Sequence, residues 1–394
     1  MGRDNIMSTF NLKYDQGRVR KYHYFMLLSL IQKHKKISRS QLAELTKMSN
    51  TSIGKIIKEL ISDGLVIEVG QVEGEVGRRA TLLEINSQGS YIIGVEIEWN
   101  AIKIGIVSLD GKLLENKHIK INAKQEAEST LNLIAEEISL LTDHVGFEIT
   151  EKIIAVGISM PGLISWPEGE ALIVPQLQWE NVQIKAYLEG MIDYIVYVDN
   201  DVRTVLLAES LFGNMTEFQD SVCVYVGSGV GGAVMINGEI LRGHLNTLGE
   251  IGHITMEPNG PMCDCGRLGC LQTFVCSSEI EKQSQKTMKE IFEAYQRKEG
   301  WSIRLIDRAR DYLCLAIANV ICMYNPKGVL LAGPMIQEFP ILVQDIEKLT
   351  NKYVWPPLNN SFQIIHSKIG NDSGIIGASA LVMNEFLRFT NDDI

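Results

Sequence analysis

The chain has no run of about 18 apolar residues, the minimum for a membrane-crossing helix, although hydrophobic residues fill 45% of its 394 positions. Its first residues include Arg3, Asp4 and Lys13 in place of an apolar secretory core, so a soluble cytoplasmic protein is expected. Internal repeats and low-complexity tracts are missing too. Cysteine is scarce, at seven residues, and reduced thiols fit that compartment. An overall excess of basic charge is also absent, the net charge being −11. That total conceals an asymmetry: residues 1–86 hold 14 Lys and Arg against 9 Asp and Glu, leaving 23 basic and 39 acidic residues for the remainder. A basic head on an acidic body implies a polyanionic partner for the head, although a solvated basic face has the same composition. A chain of this length is expected to form two or three domains.

What cysteine there is clusters. Cys263, Cys265 and Cys270 crowd into eight positions, in a C-x-C-x4-C turn beside Pro261, Gly266 and Gly269 where helix or strand packing would not need them. His253 lies just upstream, in Gly249-Glu250-Ile251-Gly252-His253. Three thiolates and a neutral imidazole suit a closed tetrahedral Zn2+ site, the alternative being free thiols near a surface histidine. A closed site leaves no open position for chemistry, so such a zinc is structural.

Residues 1–17 show no periodicity and read as a mobile arm. From Val19 to about His34 the apolar positions fit a helix, and Ser38 is placed to cap a second, with Gln41 completing a capping box. Met48-Ser49-Asn50 makes a turn, a third helix runs from about Thr51 to Asp63, and Gly64 ends it. Two strands, 65–70 and 80–85, follow with a Gly/Glu-rich tip between them. This pattern is a winged helix-turn-helix. In such a domain the third helix enters the major groove, which places Asn50, Thr51, Ser52 and Lys55 at base edges and Lys58 and Arg39 at phosphates. Arg78 and Arg79 of the wing would enter a minor groove or fix the wing to the backbone. A winged helix can also serve as a protein–protein module; the basic head favours DNA.

After a short linker at Asn86–Gly89, strands alternate with helices as in the α/β class. Strands are expected at 91–97, 101–108, after a hairpin turn at 109–112, and at 153–158, 195–201, 221–226, 328–332 and 362–366. Helices are expected at about 125–146, 202–213, 278–296, 301–323, 338–350 and 375–387. Gly227-Ser228-Gly229-Val230-Gly231-Gly232 is a turn of the kind that can cradle phosphate, though it lacks the following helix of a P-loop.

Taken together the chain resembles the ROK family of repressors, open reading frames and sugar kinases. The resemblance rests first on Gly249, Glu250, Gly252, His253, Cys263, Cys265, Gly266, Gly269, Cys270 and Leu271, and then on Asn200-Asp201, Gly227–Gly232, Asn325-Pro326 and Gly333. It implies a two-lobed actin/hexokinase-like (ribonuclease H-like) α/β domain behind the winged helix-turn-helix. On this reading residues 1–86 are the head, 87–200 the first lobe with a helix at about 380–394 returning to it, and 201–379 the second lobe with the zinc site. The resemblance also implies zinc ligation by His253, Cys263, Cys265 and Cys270, and sugar binding by Asn200, Asp201, Glu250, His253 and Gln272. Gln272 departs from the family, which usually has Glu there.

Two departures separate this chain from the kinases. Their D-x-G-G-T phosphate turn is Glu96-Ile97-Glu98-Trp99-Asn100 here, and the second Gly of their adenosine segment is Pro334. Carboxylates beside a triphosphate repel it by several kcal/mol at low effective dielectric. Phosphoryl transfer depends on positioning and charge neutralisation, so without the cradle no catalysis is expected. The expected protein is a bacterial sugar-responsive regulator, a repressor first of all, acting as a dimer or dimer of dimers on a palindromic operator. The rivals are a sugar kinase with a DNA-binding appendage, and a regulator controlled by a partner protein.

Overall fold

The computed structural model describes residues 16–73, 79–122, 125–370 and 372–388. Most of the 1–17 arm, the wing tip with Arg78, Asn371 and residues 389–394 therefore lie outside the described residues. The head comprises α1 (Gln16–His34), β1 (Ile37–Ser38), α2 (Arg39–Thr46), α3 (Asn50–Ser62), β2 (Val66–Glu73) and β3 (Arg79–Ile85). Local chemistry sets its breaks. The Ser38 hydroxyl accepts the Gln41 N–H while the Gln41 side chain accepts the Ser38 N–H, the reciprocal box expected from the sequence. Lys47 ends α2 in a left-handed conformation, and the Ser49 hydroxyl caps α3 by accepting the Ser52 N–H. β2 runs past its expected end because Gly70, at φ 54°, lies in a bulge instead of closing the strand. Ile53, Ile57 and Leu60 of α3 are fully buried in one cluster with Leu27, Leu28 and Ile31 of α1. Burying each such side chain stabilises by about 1.5–3 kcal/mol.

The first lobe contains β4 (Tyr91–Ile97), β5 (Ala101–Ser108), β6 (Leu113–Lys120), α4 (Ala127–Val145), α5 (Phe147–Thr150), β7 (Ile153–Met160), β8 (Leu163–Ile164), β9 (Ala171–Val174), β10 (Trp179–Val182), α6 (Ile184–Glu189) and β11 (Val196–Asn200). Its sheet has the order β11-β7-β4-β5-β6, parallel from β11 to β4 and antiparallel beyond. β8, β9 and β10 form a separate small sheet. Strands of two to four residues are too short to show alternation, and the sequence did not foretell them.

The second lobe opens with α7 (Asp201–Leu211), β12 (Ser221–Val226), β13 (Val230–Ile236) and β14 (Glu239–Leu241). There follow α8 (Gln272–Val275), α9 (Ser277–Ser284), α10 (Met288–Gln296), α11 (Gly300–Tyr324), β15 (Gly328–Ala332), α12 (Pro334–Glu338), α13 (Ile346–Thr350), β16 (Gln363–His366) and α14 (Ser373–Leu387). Its sheet, β14-β13-β12-β15-β16, repeats the meander-then-parallel plan of the first lobe. Two expected helices are broken. The 278–296 stretch divides at Gln285, which is left-handed, and restarts at a Thr287–Glu290 capping box. The 338–350 stretch is interrupted by Pro340 and by left-handed Asp345, leaving α12, a 3-10 turn and α13.

α7 and α14 lie between the lobes. Val205, Leu206 and Leu207 of α7 pack with Cys223 and Leu330 of the second sheet and with Ala380 and Leu381 of α14. The head is not loosely tethered. Asn86 donates its amide to the Gly64 carbonyl at 2.7 Å, and the head's apolar cluster continues into Ile92, Leu109 and Ala155 of the first lobe and Val382 and Met383 of α14.

Candidate DNA-facing helix, ligand cleft and metal cluster

α3 is amphipathic. With Ile53, Ile56, Ile57 and Leu60 buried, Asn50, Thr51, Ser52, Lys55 and Lys58 are left exposed. The Ser52 hydroxyl is 2.9 Å from that of Ser49, so the cap and the first turn are held together. Arg39, expected at phosphates, is paired with Glu68 of β2 at 2.6 Å and must exchange that partner to reach DNA. Arg79 begins β3; Arg78 belongs to the undescribed tip.

The cysteine turn is built by two isolated bridges, Thr255 with Cys270 and Met262 with Leu268. Gly269 is required at its bend: φ is 66°, and a Cβ would collide with the Glu257 carbonyl. The ligand atoms of His253, Cys263, Cys265 and Cys270 all lie within 4.8 Å of one another, a set that could hold one metal ion. His253 Nδ1 is 3.7 Å from Cys263 Sγ, and Cys265 Sγ is 3.7 Å from Cys270 Sγ. Burial pushes the Cys270 thiol up to about 12 and also raises Cys263, whereas the Arg267 backbone N–H pulls Cys265 down. Holding all three as thiolates would take a cation among them. Gln272 donates its amide to Cys263 Sγ at 3.3 Å, which a glutamate at this position could not do as a carboxylate.

Asn200 and Asp201 stand where β11 passes into α7, at the carboxyl end of a parallel strand. The Asn200 side-chain oxygen caps α7, accepting from Val202 and Arg203, and its amide donates to the Gly162 carbonyl at 3.1 Å. One Asp201 oxygen accepts the Val202 N–H at 2.8 Å. Burial raises Asp201 to about 6, against the opposing Val202 bond, and the nearby Glu250 carboxylate adds to the rise. Glu250 itself is exposed, one residue before the 3-10 turn Ile251–His253.

Across the cleft, Lys103 of β5 pairs with Glu96 at 3.0 Å and Glu98 at 2.7 Å. Burial raises Glu96 to about 7, opposed by Lys103, with Glu98 and Asp201 adding repulsion. The cavity here, lined by Glu96, Glu98, Lys103, Tyr225, Gly333 and Pro334 among others, holds about 160 Å³. Ligand pockets run roughly 300–1,000 Å³. The raised carboxylates have a consequence for stability. Both bind protons in the folded state that the unfolded chain releases near pH 4, so stability falls as pH rises toward 7 and levels off above it. Thermal unfolding between about pH 5 and 8 is expected to show that decline, and Glu96→Gln to flatten its upper part. An unchanged slope in the variant would assign the effect elsewhere.

Three positions that sequence reasoning missed tie the end of β11 and the start of α7 to the loop before Glu250. Asp199, fully buried, accepts from Arg203 at 3.2 Å and Arg242 at 2.6 Å. Arg203 also donates to the Asn246 and Leu248 carbonyls of the loop leading to Glu250, and Arg242 lies over the Trp166 ring at 4.1 Å. The available signal was Arg203 itself, a lone arginine in the apolar run Val202–Ala208.

The ROK family profile matches residues 92–385. The chain belongs to the ROK family. A winged helix-turn-helix DNA-binding profile matches residues 25–67, ahead of the ROK region. This ROK chain is 26% identical over 384 residues to the xylose repressor of Bacillus spizizenii, covering 95% of this chain and 98% of that one. It is 30% identical over 377 residues to the DNA-binding transcriptional dual regulator NagC of Escherichia coli, covering 91% of each. Among solved structures, a ROK family transcriptional regulator described as a homolog of the E. coli MLC protein superposes with a TM-score of 0.81 at 26% identity, covering 94% of this chain and 97% of that one. The ROK hexokinase from Thermus thermophilus superposes with a TM-score of 0.65 at 24% identity, covering 74% of this chain and 97% of the hexokinase, which shows the shared fold of the body. No described helix is long and apolar enough to cross a membrane.

Proposed function

We propose that this ROK chain is a cytoplasmic, sugar-responsive transcription regulator, a repressor in the first instance, of carbohydrate uptake or catabolism genes. The observation that carries the reading is a single chain joining an exposed, partly basic α3 face to a polar cleft whose phosphate side is closed by Glu96, Glu98, Lys103 and Pro334. Two such heads in a homodimer, or a dimer of dimers, would meet the two halves of a palindromic operator. The effector is a monosaccharide or a derivative of one. Asp201, Glu250 and the free ring nitrogen of His253 read its hydroxyls, Gln272 contributes its amide oxygen, and Asn200 shapes the floor while capping α7. The metal is zinc in a structural role: tetrahedral Zn–S bonds of about 2.3 Å imply ligand separations of about 3.8 Å, and two of the pairs lie at 3.7 Å in a set that spans no more than 4.8 Å. Zinc bound there would fix His253 and Gln272 beside the cleft.

A mobility-shift assay at fixed salt, with upstream DNA and a panel of sugars, tests the reading. Retardation relieved by one sugar class is expected; no retardation at any ionic strength defeats it. Lys55→Ala should weaken binding across all sequences and lower the salt slope by about one. Glu250→Gln should weaken the effector by about tenfold to a hundredfold, the range for losing a charged hydrogen bond, while leaving DNA affinity without sugar intact. That comparison is made by calorimetry with the active sugar. Calorimetry also separates this reading from a partner-controlled regulator, for which no sugar binds. The sugar-kinase reading needs ATP turnover that disappears in Asp201→Asn, and a coupled ADP assay decides it.

A further inference from the structure

The ion cluster in the closed half of the cleft is seated against a helix that reaches the head. Lys103 and Glu96 each keep only about a sixth of the side chain exposed, 15% and 16%. The Glu96 carboxyl lies against the first turn of α14, so closely that a Cβ on Gly374 would collide with it. A carboxyl at this end lies near the positive end of the helix dipole. α14 is tightly held along its length. Gly94 of β4 and Gly157 of β7 have no room for a Cβ against the Ile375 and Ala378 carbonyls, and Gly377 meets Thr204 of α7 on the other side. Its 15 residues span about 22 Å at 1.5 Å each. At the far end Phe386 packs edge-on against Phe25 of α1, ring centroids 5.7 Å apart, and Val382 and Met383 share the apolar cluster of Leu27, Leu28 and Ile31. There Asn384, Leu387 and Arg388 face Ser29, Gln32 and Lys33 of α1 across a cavity of about 270 Å³, giving the contact room to shift.

We propose that Glu96, Lys103 and Glu98 are positioning residues, an internal ion clasp that sets the seat of α14, and that α14 passes that seat to the DNA-binding head. The clasp does inside this chain what a bound nucleotide's phosphates and their counter-ion would otherwise do between the lobes. Packed helices hold a few discrete arrangements and do not bend continuously, so a change at one end of α14 reaches the other. Asp201 is close enough to Glu96 to repel it, and it starts α7, which packs along α14. Effector binding at Asp201 therefore acts directly beside the clasp. This rests on the regulator reading above.

Hydrogen–deuterium exchange of the full chain, paired with affinity for a duplex selected from random sequence by the wild type, tests the proposal. Lys103→Met is expected to speed exchange about tenfold in α1 and the last two turns of α14, and to change duplex affinity by at least about fivefold, the lower range of allosteric couplings. Gly374→Ala alters no charge and favours the helix, yet displaces Glu96; it should act the same way, and it decides the matter if Lys103→Met loses protection throughout. Lys103→Arg should keep the wild-type behaviour. Lys117→Met, which removes a different first-lobe pair with Glu137, should leave α1 unchanged. If Gly374→Ala leaves α1 protection or duplex affinity at wild-type values, the clasp does not control the head. Because exchange is read without DNA, a wild type that selects no duplex would defeat the regulator reading, and α1 protection would still report on the clasp.

Discussion

Cys263→Ser is expected to lower the melting temperature by roughly 10 °C and to abolish the response to effector. Cys263 and Cys270 are buried, and besides the metal set the turn between Thr255 and Cys270 is held by two isolated bridges and by a few backbone bonds such as Cys263 N–H to the Arg267 carbonyl at 2.8 Å. Structural zinc contributes about 10–16 kcal/mol of apparent binding energy in small peptides. A turn already held inside a lobe recovers only part of it; a loss of about 3–4 kcal/mol shifts the melting temperature by about 10 °C in a domain of 150–250 residues. The effect on function follows from the chain path. His253 and Gln272 contact Cys263 directly, and Glu250 lies three residues from His253. Releasing one thiolate should therefore loosen the side of the cleft proposed to take the sugar. Metal analysis and scanning calorimetry, with and without a chelator, check this. A wild type free of zinc, with Cys263→Ser melting at the same temperature, removes the metal from the account.

Much of this architecture is legible in the residues because it is local. Ser38 and Gln41 announce their capping box, the apolar spacing of α3 separates a buried face from Asn50, Thr51, Ser52, Lys55 and Lys58, and the C-x-C-x4-C spacing announces its cluster. What stayed hidden is relational. The two sheets repeat one topology, yet their sequences share no visible period. Lys103 in β5 looks like an ordinary outward lysine until the register places it beside Glu96 across β4. Asn200 and Gln272 read equally well as ligand-reading amides; only the fold shows them engaged with α7 and with Cys263. The head offers a fourth case. Asn86–Gly89 has the composition of a tether, but the Asn86 amide is held by the Gly64 carbonyl and the head's apolar cluster runs on into Ile92, Leu109 and Ala155 of the first lobe.

The buried Asp199–Arg203–Arg242 cluster is expected to be the most sensitive point of the molecule. Asp199→Leu would leave the Arg203 and Arg242 guanidinium groups, 4% and 15% exposed, without their shared carboxylate. Removing one partner of a buried ion cluster costs about 3–5 kcal/mol, because the remaining charge keeps its desolvation penalty. A melting temperature lowered by 10 °C or more should follow by the same conversion. Arg242→Met should cost less: Asp199 keeps Arg203 and the Asn200 N–H, which donates to it at 2.8 Å. Adding Arg203→Met to Asp199→Leu should recover part of the loss, giving a double-mutant cycle that is far from additive. Effector binding separates this cluster from a simple core contact. Arg203 holds the Asn246 and Leu248 carbonyls just before Gly249 and Glu250. Arg203→Met alone should therefore weaken the effector more than Arg242→Met does, even where the two variants melt alike. Calorimetric titration of both variants measures that difference, and equal affinities would show that the loop is held by something other than Arg203.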